Sequence, residues 1–281
     1  MVKKELPIGR QVNGETMAID YVIDYDCIPK QHLGTEGIIE RLKGEERARA
    51  IIELFRKNGD DRPPSEMGFE FTRATPTGEE EVRVIVVQDL LDEAEKLDPL
   101  RPYCAGCPAN RAQRPFGCIG FIQYPLSSDS EAWMLDQLPV PDDTLVWLLL
   151  RQGVEEFDYD GSSVQPLRSQ SEVYFEARDA LKRRLGEFQI NADQLFEMLF
   201  SVGHLSANHA ALLLLFLNAI PRDLDADAIM HLSPPPPDAN ERLPFLLKPE
   251  ADDDHSISEL KEFLRSLYIA WRLNVRTLLD V

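Results

Sequence analysis

The sequence predicts an α+β chain with two textures: a small, mostly antiparallel sheet with helices in the amino-terminal half, then an all-helical carboxy-terminal half. Three observations carry that expectation. Two stretches with period-two alternation, AIDYVIDYDC and MGFEFTRA, and a third strand-like stretch, GCIGFIQYP, all precede Ser128, and alternation is the mark of a half-buried strand. From Asp129 onward apolar residues recur at helical spacing instead. The cysteines, finally, all lie in the first half. The expected organisation is a flexible arm over 1–15, an α+β domain over 16–128, a helical domain over 129–233, a Pro-rich acidic connector over 234–255 and an amphipathic helix over 256–281.

Along the chain, Ile19, Tyr21, Ile23, Tyr25 and Cys27 share one strand face, with Asp20, Val22, Asp24 and Asp26 on the other; Pro29 ends the strand. Thr35–Asn58 reads as helix, with Gly44 a candidate break and Gly59 a left-handed stop. Phe69 and Phe71 point the same way in a second strand. TPTGEE is a turn, and the continuous Val/Ile content of EVRVIVVQ predicts a strand buried on both faces. DLLDEAEKL is a short helix, stopped at Asp98–Pro99. After the last strand, helices are expected over DTLVWLLLRQGVEEF, over Ser171–Gly186 with Ser171 as N-cap, from an Asn191/Gln194 capping box through Phe200, and over Ser206–Ala219. The final helix, Ser256–Asp280, carries an apolar stripe of Leu260, Phe263, Leu264, Leu267, Trp271, Val275 and Leu278.

Composition narrows the function classes. Of 281 residues, 43% are hydrophobic and 28% charged, enough for a substantial core in a soluble protein. The net charge of −19 argues against nucleic acid and against anionic membrane surfaces as partners. The amino terminus has lysines without an apolar stretch behind them, so it does not read as a signal peptide. The greasiest run, ALLLLFLNAI, is too short to span a bilayer. The expected location is therefore the cytoplasm, where thiols stay reduced.

The chemistry concentrates in YCAGCPANRAQRPFGCIGFIQY. Cys104 and Cys107 form a C-x-x-C pair, Cys118 follows eleven residues after Cys107, and Cys27 is the fourth cysteine. Four thiols match a closed tetrahedral zinc site, because Zn²⁺ accepts four thiolates without a geometric penalty. A [4Fe–4S] cluster has the same ligand count. Pro99–Ser128 contains no Asp or Glu but does contain Arg101, Arg111 and Arg114, a cationic island suited to a dianionic thiolate centre or to an anionic ligand. If the first and last strands of this half pair antiparallel, Cys27 and Cys118 lie toward one end of the sheet. The bland alternatives are unbound thiols, or a redox C-x-x-C with Cys27 merely packed in the core.

Other features carry less. Glu156, Asp158, Asp160 and Gly161 imitate half a calcium loop, yet Leu167 stands where the bidentate Glu belongs. His204 and His209 are five apart, a poor spacing for two helical ligands. His32 is an optional substitute ligand near Cys27. Asp20, Asp24 and Asp26 read as the solvated side of an edge strand. G-x-S-x-G, P-loop, G-x-G-x-x-G and H-E-x-x-H motifs do not occur. The sequence thus points to a zinc-stabilised scaffold or interaction protein, partnered by another protein or by itself through the carboxy-terminal helix. The alternative is an iron–sulfur redox protein or oxidoreductase subunit built on the same cysteines.

Overall fold

The computed structural model describes residues 18–74, 80–111, 113–170, 173–200 and 203–279. The expected arm over 1–15, the TPTGE part of the expected turn and the expected cap Ser171 lie outside those residues. In chain order the elements are β1 (Ala18–Ile23), α1 (Ile28–Lys57), a 3-10 turn (Pro64–Glu66), β2 (Gly68–Ala74), β3 (Glu80–Val86), α2 (Val87–Glu95) and a second 3-10 turn (Asp98–Cys104). Then follow β4 (Ile119–Gln123), α3 (Ser128–Asp136), α4 (Thr144–Glu156), α5 (Gln165–Arg168), β5 (Lys182–Leu185), β6 (Phe188–Asn191), α6 (Ala192–Phe200) and β7 (His204–Leu205). The chain closes with α7 (Ala207–Phe216), α8 (Ala226–Met230), α9 (Ala239–Arg242), α10 (His255–Arg272) and β8 (Thr277–Leu279).

These elements form two compact units, one of which interrupts the other. The first contains β1 through Tyr25 and everything from Cys118 onward; the second is Asp26–Gly117. The second unit is thus inserted between β1 and β4, which are antiparallel neighbours: Val22 pairs with Ile119, and the Ile23 amide donates to the Cys118 carbonyl at 3.0 Å. The antiparallel pairing that the sequence left as a condition is thus present.

In the first unit a four-stranded sheet has the order β4-β1-β8-β7. β1 is therefore an interior strand rather than the edge strand expected, and Asp20 is buried at 3% exposure rather than solvated. The carboxy-terminal half is not all-helical: it supplies β5 to β8, and β5 and β6 form a hairpin. The helix expected over Ser171–Gly186 is replaced by irregular chain from Val173 and by this hairpin. Gly186, at φ 67°, takes the left-handed position between the two strands. The last helix is also shorter than expected. Asn274 adopts φ 52°, Val275 N–H bonds to Ala270 O and Asn274 N–H to Trp271 O, both at 2.9 Å. These are the two bonds of a Schellman stop, and Thr277–Leu279 beyond it join the sheet. Asn218 ends α7 in the same way.

Side chains of α10 fill the core between the sheet and α7. Leu260, Phe263, Leu264, Leu267 and Trp271 are each at most 1% exposed, and Phe263 packs edge-on against Tyr21 with centroids 5.1 Å apart. These five residues of the stripe are covered inside their own unit, so the helix docks on the helical region of its own chain, one of the two surfaces (the other a second copy) that its length predicts. Nearby the expected capping box is present: Gln194 N–H donates to Asn191 Oδ1 at 2.9 Å, and Asn191 N–H to Gln194 Oε1 at 3.0 Å. Asn191→Ala removes half of that exchange. The expected loss is about 1 kcal/mol, read as a lower urea midpoint with an unchanged denaturant slope.

In the second unit α1 and α2 pack together over a small core of Ala48, Met67 and Val87, with Ile51, Ile52, Phe55, Leu90 and Leu91 around it. Gly44 does not break α1. It is buried in the helix against Leu90, where an added Cβ would stand 3.7 Å from a Leu90 methyl. The break is at Gly34, with φ 68° and ψ 165°, and Gly59 ends the helix as expected at φ 75°. β2 and β3 form a separate hairpin. Val84 is 69% exposed, so this strand is not buried on both faces.

Among the described residues no helix is long and apolar enough to cross a membrane.

Candidate functional site

The cysteine loop belongs to the second unit. After α2, Pro99 and Pro102 withhold two backbone donors, so the chain runs as a tight 3-10 turn, Asp98–Cys104, rather than as α-helix. Buried Leu100 anchors it. A type II turn follows: Ala105 has φ −66° and ψ 125°, Gly106 has φ 74°, and Cys107 N–H donates to Cys104 O at 3.3 Å. A type II turn needs a left-handed residue in third place, which is why the motif reads C-A-G-C, and it brings the two flanking α-carbons within about 7 Å.

The rest of the loop folds back on this turn. Asn110 clamps both ends of it, its amide donating to Cys107 O at 3.0 Å and its Nδ2 to Cys104 O at 2.8 Å. Phe116 is buried and sits at φ 57°, a costly conformation for an aromatic residue. In that pose its backbone N–H donates to Cys104 Sγ at 3.2 Å.

Cys27 stands at the N-cap of α1, its carbonyl accepting Gln31 N–H at 3.0 Å. Burial pushes its thiol above the usual range; the Lys30 amide and ammonium charge pull it down, and Cys107 and Cys104 push it up again. Cys27 thus feels Cys104 and Cys107 although it is remote from them in sequence. As the side chains lie, no group of three or more His, Cys, Asp or Glu among the described residues is gathered closely enough to hold a metal ion. Cys118 belongs to the first unit, half-buried, at the foot of β4.

The arginines have separate employments. Arg101 bonds Asp98 at 2.8 Å and Glu45 at 3.0 Å, so its charge is matched by carboxylates. Arg111 is buried within the loop and Arg114 is exposed. Among the remaining acidic residues, Asp24 pairs with Arg276 at 2.8 Å and Asp26 accepts from Gln31. The half calcium loop is a polar turn, with Gly161 N–H and the Ser163 hydroxyl both donating to Glu197 at 2.8 Å. His32 is exposed. His209 is pushed below the usual imidazole range by burial and by the His204 charge.

One polar constellation escaped the sequence reading. Arg168, 5% exposed, donates to Asp193 Oδ1 from Nε at 3.0 Å and from Nη2 at 2.5 Å, and from Nη1 to Glu131 Oε1 at 2.5 Å. Its guanidinium also lies 3.8 Å from the Phe175 ring centroid. Glu131 Oε2 accepts Leu181 N–H at 3.2 Å. This buried ion group joins α3, α5, α6 and the irregular chain before β5. Its bonds are all internal to the first unit, so it reads as a staple. The available signal was Asp193 and Glu197, four apart on a helix with apolar residues on every side.

No family of known proteins, no curated protein and no solved structure matches the chain.

Proposed function

We propose that the chain is a metal-stabilised scaffold or interaction protein of the cytoplasm, holding zinc on the thiolates of Cys27, Cys104, Cys107 and Cys118. The observation that carries this reading is the C-A-G-C type II turn, which sets Cys104 and Cys107 side by side at the head of the loop. Three of the four proposed ligands, Cys27, Cys104 and Cys107, belong to a single unit. The Phe116 amide on Cys104 Sγ supports it, since hydrogen bonds to sulfur help thiolates carry the negative charge of a metal centre. Zinc at this place would tie the start of α1 to the cysteine loop, in a unit whose own apolar core is small. Binding free energy of that kind adds directly to folding.

The test is metal content and colour after anaerobic purification. A colourless protein with stoichiometric zinc is expected, and Cys27→Ser should lose most of that zinc and melt earlier. Iron together with visible sulfur-to-iron charge-transfer absorbance would assign the same thiols to an iron–sulfur cluster instead. Wild-type protein that retains neither metal, and whose stability is indifferent to added zinc, would remove the metal reading altogether.

A further inference from the structure

We propose that Cys104 and Cys107 are also a reversible dithiol pair whose oxidation disassembles the metal site, an inference that rests on the zinc reading above for its consequence but not for its chemistry. The type II turn across Cys104–Cys107 holds the two α-carbons within about 7 Å, the separation range over which a disulfide closes without moving the backbone. Both residues are free thiols, and they differ in access. Cys107 is half-buried, whereas Cys104 is buried with its sulfur under the Phe116 amide. The Asn110 bonds to both carbonyls fix the turn that holds the pair.

That difference in access assigns the steps. A hydroperoxide is the oxidant. The Cys107 sulfur attacks its terminal oxygen, an S–O bond forms as the O–O bond breaks, and the leaving oxygen departs as hydroxide, or as alkoxide from an organic hydroperoxide. Cys104 sulfur then attacks the Cys107 sulfenic sulfur, an S–S bond forms, the S–O bond breaks and water leaves with the Cys104 proton. Two thiols lose two electrons, and hydrogen peroxide becomes two waters. Two of the four proposed ligands are then a disulfide, which holds zinc poorly because the metal binds thiolate.

The experiment treats the full chain, loaded with zinc, with hydrogen peroxide. Zinc release is followed with a chromogenic chelator, and the cysteines are mapped by alkylation and peptide mass spectrometry. A Cys104–Cys107 disulfide forming in step with zinc release, both reversed by dithiothreitol, is the expected result. A chain that takes up no zinc yet forms the same disulfide would refute the metal reading while supporting the pair. The proposal is overturned if Cys107 goes to sulfinic acid while Cys104 remains alkylatable. A disulfide joining other cysteines, or zinc retained on the oxidised chain, overturns it equally.

Discussion

Truncation after Pro249 unfolds the first unit. The lost segment contains α10, whose Leu260, Phe263, Leu264, Leu267 and Trp271 are at most 1% exposed, and β8, which lies between β1 and β7 in the sheet. Burying each such side chain is worth about 1.5–3 kcal/mol, so the five together rival the whole stability of a domain, about 5–15 kcal/mol. Removing β8 also separates β7 from the other strands and strips β1 of hydrogen-bond partners along one side. The expected readout is loss of cooperative urea unfolding for this unit, with aggregation and rapid proteolysis. A truncated chain that unfolds cooperatively at the wild-type midpoint would show the segment to be an appendage. A milder form of the same test is Trp271→Ala, for which about 3–5 kcal/mol is expected. That change also strands the Leu232 carbonyl, which now accepts the indole N–H at 2.7 Å.

Arg168→Met should cost about 3–5 kcal/mol, because it leaves Glu131 and Asp193 as buried carboxylates with no cation between them. Burial already holds Glu131 above the usual carboxylate range, against the hydrogen bond and charge of Arg168. Removing the guanidinium raises it further. A carboxyl whose folded pKa lies above its unfolded one contributes stability that is fully present below the unfolded value and lost as pH rises through the folded value. The deficit of the Arg168→Met variant should therefore shrink between pH 7 and pH 5. Urea titrations at the two pH values check this; an equal deficit at both means that Glu131 is not the group left stranded. Neutralising the partners as well, with Glu131→Gln and Asp193→Asn, should recover much of the loss.

What the sequence disclosed and what it concealed divide along the range of the interactions. The Asn191/Gln194 box, the Gly59 stop and the β-strands before Ser128 are local signals, and the structure has them. The pairing of β1 with β4 was only a condition in the sequence, because alternation marks a strand without naming its neighbour. The hairpin over 182–191 was missed because KRRLGEFQI is half charged and has no clean alternation, while Gly186 reads equally well as a helix end. The Schellman stop at Asn274 was missed because the apolar stripe continues through Val275 and Leu278 at helical spacing. Asp20 and the Arg168 group were hidden for a different reason. Whether a charged residue is solvated or buried depends on partners far away in the chain. At the cysteines, C-x-x-C and its turn were plain in C-A-G-C, but nothing local to Cys27 says which residues lie around it.

The position of β1 bears on how the protein is made. Its two hydrogen-bonding sides are satisfied by β4 and by β8, so a ribosome delivers the strand long before either neighbour. At about 5–20 residues per second, the interval between Ile23 and the β8 residues is on the order of tens of seconds. The unit Asp26–Gly117 emerges within that interval with its helices and its hairpin partners inside its own span, and is free to fold first. β1 meanwhile waits as an unpaired, apolar strand, the kind of nascent segment most prone to pair with the wrong chain. The acid on its length, Asp20, whose burial the finished sheet tolerates, is at that stage a charge in water on an exposed strand, and charge on an open edge discourages premature pairing.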